Sequence, residues 1–138
     1  MFATATRSTP HHGAHAYARV GVETGISAAG PHHLVLMLFD GFLAALAQAR
    51  GALRERQIEA KCRHIGRAVR IINEGLRAGL NREQGGELAA DLDELYAYVS
   101  RRLTQGHAGN DDAALDECRR LVEPLRDAWL AIAPGAAA

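Results

Sequence analysis

A chain of 138 residues can bury one apolar core and is too short for two domains of ordinary size. Its sixteen Lys and Arg balance sixteen Asp and Glu, so composition excludes a basic face for nucleic acid or anionic lipid. The longest unbroken apolar run, Leu34 to Phe39, falls well short of the roughly 20 residues that span a bilayer. Residues 1–16 hold no apolar stretch of leader length, so a cytoplasmic protein without membrane insertion is expected.

Residues 1–16 mix Thr, Ser, Pro, Ala and His without apolar periodicity, which predicts a disordered tail. His11, His12 and His15 lie there without a scaffold that would fix a metal. Residues 17–30 place Tyr17, Val20, Val22 and Ile26 among glycines, the pattern of an extended arm packed on something. Pro31 then suits the first position of a helix running to about residue 55, with Gly30 as N-cap. At helical spacing Leu34, Val35, Leu38, Phe39, Phe42, Ala45 and Leu46 form one arc. Leu36 and Leu43 fall outside it and are expected to face outward.

The second helix predicts a seam of Ile58, Cys62, Ile65, Val69, Ile72 and Leu76, with Ile71 pointing away from it. A glycine-rich turn at "AGLNREQGG" follows. The third helix presents Leu88, Leu92, Leu95, Val99 and Leu103 until "GHAGND" ends it, and Asp111 is the expected cap of the fourth. That helix carries Leu115, Cys118, Val122, Leu125, Trp129 and Ile132, with a kink expected at Pro124. Short connections make neighbouring helices antiparallel. The fold expected is all-α, an antiparallel four-helix bundle over residues 31–133 with an N-terminal arm and a flexible end at 134–138.

Catalytic patterns are absent from the reading. Cys62 and Cys118 both fall on apolar stripes and are expected as reduced, buried residues. A di-iron core needs inward Glu and Glu-x-x-His pairs, whereas Glu59 and His64 sit five apart and off the seam. There is no nucleophile elbow and no phosphate-binding glycine loop. One alternative stays open: His64, with Lys61 a turn away and Gly66 close by, has the placement of a histidine phosphotransfer bundle but lacks that family's His-x-Leu-Lys-Gly run. No cofactor and no enzyme activity are expected.

The segments "AYARVGVETGISAAGPHHLVLMLFDGFL" (16–43), "RAVRIINEGLRAGL" (67–80), "LDELYAYVSRRL" (92–103) and "VEPLRDAW" (122–129) resemble the flagellar secretion chaperone family FliS, in order and across residues 16–133. The resemblance implies a cytoplasmic bundle that binds the C-terminal region of flagellin, prevents early polymerisation and aids delivery to the flagellar type III export apparatus. Components of that apparatus would be further partners, and the free protein would be a monomer or weak homodimer. The residues expected to meet flagellin are Tyr17, Val22 and Ile26 of the arm, Leu36, Phe39 and Leu43 of the first helix, and Ile71 of the second. Gly30, His32 and His33 depart from the Ser-Pro and polar start usual in the family, which implies a helix end prone to fray in acid.

Overall fold

The computed structural model describes residue 17 and residues 30–133. The tail, most of the arm with Val22 and Ile26, the tail histidines and residues 134–138 lie outside the described residues. Four helices follow one another: α1 (Gly30–Arg54), α2 (Ile58–Arg70) continued by a π-helical segment (Ile71–Arg77), α3 (Arg82–Gly109) and α4 (Asp112–Ala131). No strand occurs among the described residues.

Side-chain contacts fix the order of the helices around the core. Arg50 of α1 holds Asp112 and Asp116 of α4 at 2.8 and 2.9 Å, Arg77 at the end of α2 holds Asp93 of α3 at 2.7 Å, and Arg102 of α3 holds Glu117 of α4 at 2.8 Å. Between α1 and α2 the chain uses glycine instead. A Cβ on Gly75 would stand 2.8 Å from Leu38 Cδ2, and one on Gly41 would stand 3.4 Å from Ile71 Cδ1. Each helix thus sets a branched side chain over the other's glycine. The result is a closed antiparallel bundle, as the periodicity predicted.

The helix ends have separate local causes. Gly30 has φ +75°, a conformation that suits glycine, so its value at the start of α1 lies in backbone geometry rather than in a capping oxygen. The oxygen of Asn81 accepts from the Gln84 N–H at 3.0 Å, and Asp111 Oδ1 accepts from the Ala113 N–H at 3.0 Å, the capping foreseen for the fourth helix. The expected turn is confined to residues 78–81, and the "REQGG" stretch that follows is helical. It is the first part of α3, interrupted at Gly86 (φ 53°, ψ −131°). Nor does "GHAGND" break α3 early: the helix reaches Gly109 and stops where Asn110 turns left-handed.

Two expectations about the core are corrected. On α2 the buried residues are Lys61, Ile65 and Ala68, then Ile72 and Leu76, so Ile58 and Cys62 are exposed and Val69 is half-buried. On α3, Ala89 and Tyr96 are buried where Leu88 and Leu95 were expected, and both leucines are half-buried. α4 runs without a break through Pro124, which lies on the exposed face, so the carbonyl it deprives, that of exposed Arg120, can reach water. The stripe of α4 stands as expected from Leu115 to Trp129, with Leu115, Cys118, Val122, Leu125 and Trp129 buried, whereas Ile132 lies past the end of the helix and is half-buried.

Candidate functional site

The end of the bundle where α1 starts and α4 finishes is built from rings. Trp129, in the last turns of α4, stacks face to face on His32 in the first turn of α1, with centroids 4.5 Å apart and planes 9° from parallel. Its indole N–H donates to the His32 carbonyl oxygen at 2.9 Å, satisfying the one polar group the indole must not bury alone. Tyr17 meets the same indole edge-on at 5.6 Å. Its hydroxyl lies 2.5 Å from that of Tyr96 in the core, and only 2 % of Tyr17 is exposed. Burial pushes both phenols above their ordinary value, so the pair stays neutral and hydrogen-bonded.

His32 carries the charge-sensitive part of this cluster. Burial against the indole lowers its imidazole below the usual value, and neighbouring His33 adds to the shift. Its Nε2 is buried without a hydrogen-bond partner among the described residues. The proline-histidine start of α1 was read as a weak helix end; the structure makes it an aromatic contact that ties α1 to α4.

Leu36, Leu43 and Ile71 do not form one outward stripe. Leu36 and Leu43 share the sector of α1 that holds His32 and Arg50, both of which bond to α4, so they lie along the α1–α4 seam and are half-buried against the core. Ile71 packs on α1 at Gly41, in the α1–α2 seam. Phe39 is 2 % exposed and belongs to the core, which makes it unavailable for surface contact in this conformation. The apolar residue that α1 does present is Met37, 54 % exposed, which the arc argument passed over. Next to it, Asp40 pairs with Arg126 of α4 at 2.8 Å. The assembly is a set of covered apolar seams with a ring cluster at one end.

His64 is half-buried and Glu59 exposed, and no group of three His, Cys, Asp or Glu side chains gathers among the described residues. α1 has the length and hydropathy of a membrane-crossing helix, but Val35, Phe39, Phe42, Ala45 and Leu46 are the centre of the bundle core.

Sequence comparison adds identity to this geometry. A family model described as "Flagellar protein FliS" matches residues 13–136. A "Flagellar secretion chaperone FliS" of Salmonella typhimurium is 44% identical over 124 residues, 90% of this chain and 92% of its own. A "Flagellar secretion chaperone FliSB" of Pseudomonas aeruginosa is 44% identical over 82% of this chain and 89% of its own, and the Escherichia coli FliS is 39% identical over 85% and 86%.

Proposed function

Because the chain belongs to the FliS family of flagellar export chaperones, we propose that it acts in the cytoplasm on the C-terminal region of flagellin, prevents premature polymerisation and aids delivery to the flagellar type III export apparatus. The family is one of chaperones and not of enzymes, which removes the phosphotransfer alternative at His64. The observation that carries the reading is the match over residues 13–136, which takes in all four helices and the arm.

The physical case rests on what such a cargo needs. A segment that becomes ordered only inside a filament must be offered another apolar surface, and binding has to offset the entropy of ordering it. Tyr17 supports a role for the arm: its ring is seated on Trp129 and Tyr96, yet it belongs to a segment outside α1–α4. Departure of Tyr17 would uncover that ring cluster for an incoming amphipathic helix. Leu36, Leu43 and Ile71, half-covered on the flanks of α1, are the proposed further contacts, with Val22 and Ile26 following Tyr17.

Co-expression with flagellin, then size-exclusion chromatography with mass measurement, tests the cargo. Co-elution is expected with full-length flagellin and is lost when flagellin lacks its C-terminal region. Retained co-elution without that region would move the contact elsewhere. Hydrogen exchange at Tyr17 and the residues after it, with and without a flagellin C-terminal peptide, tests the arm. Unchanged exchange together with normal binding by Tyr17→Ala would make the arm a passive leader.

A further inference from the structure

Overall neutrality conceals an uneven distribution of charge. Between residues 54 and 70 six Lys and Arg stand against two Glu, so the rest of the chain carries the compensating acid. The arginines divide in the same way. On α3 and α4, Arg82, Arg102, Arg119, Arg120 and Arg126 each sit in an ion pair of 2.6 to 3.1 Å, and Arg101 lies over the Tyr98 ring. On α2, Arg63, Arg67 and Arg70 are exposed, and none of them enters an ion pair among the described residues.

Their 4-3 spacing sets these three on one line of α2, directly opposite buried Ile65, Ala68 and Ile72. From Arg63 to Arg70 the line covers about 10 Å of helix. Arg67 Nη2 lies 3.8 Å from where a Cβ on Gly41 would stand, and Arg70 Nη1 lies 3.6 Å from the Cβ position of Gly66. Both guanidinium groups thus rest over glycine and not over a carboxylate. Like charges three and four residues apart destabilise a helix, and a bound anion of matching spacing would remove that repulsion.

The surroundings decide what kind of anion fits. Glu59 stands one turn before Arg63 and Glu74 one turn after Arg70, both exposed, and the neighbouring α3 exposes Glu83, Glu87 and Glu94. A long polyanion laid along α2 would meet a carboxylate at each end of the site, which opposes nucleic acid and a charged membrane surface. A short run of carboxylates would meet arginine alone. Guanidinium is also the cation that binds carboxylate through paired N–H donors.

We propose that the line of Arg63, Arg67 and Arg70 is a docking site for an acidic helical segment of a protein partner, with carboxylates at the same 4-3 spacing. The site shares no residue with the ring cluster formed by Tyr17, His32, Tyr96 and Trp129, so its occupancy is independent of the cargo.

The probe is an alanine-based helical peptide with Glu at 4-3 spacing, titrated into the full isotope-labelled chain and followed by amide chemical shifts. A counterpart with Gln for Glu, a single-stranded oligonucleotide and phosphatidylglycerol vesicles are run beside it. Shifts centred on residues 59–74 are expected with the Glu peptide, fading as salt is added, and none with the Gln peptide. Arg63→Glu combined with Arg70→Glu changes exposed positions only and should weaken binding on the order of tenfold or more. Glu59→Gln removes one flanking acid and should strengthen it. The proposal is overturned by the absence of shifts on α2 at millimolar Glu peptide, by equal binding of the Gln peptide, or by unchanged affinity of the folded double variant. It is overturned equally by an oligonucleotide or vesicle that binds α2 more tightly than the Glu peptide does. The Gln peptide decides the matter even if the double variant fails to fold.

Discussion

The two ends of the bundle are closed by different physics. Where α1 begins and α4 finishes, three rings and a phenol pair do the work: His32 and Tyr17 on Trp129, with Tyr17 reaching Tyr96 across 79 positions of sequence. At the other end Lys61 is buried to cap the carboxyl end of α3 through the His107 carbonyl and Asn110, and Arg50 binds Asp112 and Asp116 in the first turns of α4. Ring contacts are held by area, tolerate sliding and cost little to exchange for another apolar partner. A buried ammonium depends on two directed bonds and leaves unpaired groups when either is lost. The opening proposed for cargo would therefore fall at the aromatic end, while the directed bonds of the polar end hold the helices in register.

The largest test of this contrast is Trp129→Ala. It removes the platform shared by both rings and should cost about 3–5 kcal/mol in urea unfolding. A loss below about 1 kcal/mol would mean that the rings do not close that end. Lys61→Met keeps the stem and removes the ammonium; unpairing the end of α3 should cost about 1–3 kcal/mol, and flagellin co-elution should persist. Loss of co-elution by a folded Lys61→Met protein would erase the division of labour between the ends. Tyr17→Phe preserves ring area and orphans the Tyr96 hydroxyl, so about 1 kcal/mol is expected, with little change in cargo binding.

The smallest effect concerns His32. Its folded value is lowered from the ordinary 6.5, so the unfolded chain binds the proton more readily. Stability should therefore be complete above 6.5, decline as pH falls through that value, and level off below the folded one. Melting temperature against pH, compared with His32→Phe, isolates the ring from the other histidines. A variant curve parallel to the wild type through this window would show that His32 stacking is indifferent to charge.

Legibility differed between elements for identifiable reasons. On α4 Leu115, Cys118, Val122, Leu125 and Trp129 keep an unbroken 3-4 spacing and are all buried, so spacing alone placed them correctly, although Leu130 of the same helix is exposed. On α2 the reading chose the bulky Ile58, Cys62 and Val69, while the helix buries Lys61 and Ala68 beside Ile65. The π-helical segment adds to this: the Ala78 N–H bonds to the Asn73 carbonyl, five residues back, and the wider turn shifts the phase that a uniform 3.6-residue period assumes. The ring cluster was half visible. Tyr17 and Trp129 were singled out, but nothing local signals that His32 and Tyr96 meet them. Cys62 was misplaced with the rest of its stripe.

Helix number, approximate spans, the antiparallel order implied by short connections and the family likeness were determined by the sequence alone, because periodicity, proline and glycine placement and capping act within a few residues of the chain. The rotation of α2, the glycine contacts of Gly41 and Gly75, the capping of α3 by Lys61 and the seating of Tyr17 were decided only in the tertiary structure. Each depends on the distance between surfaces far apart in sequence, where one methyl group decides whether two helices can meet.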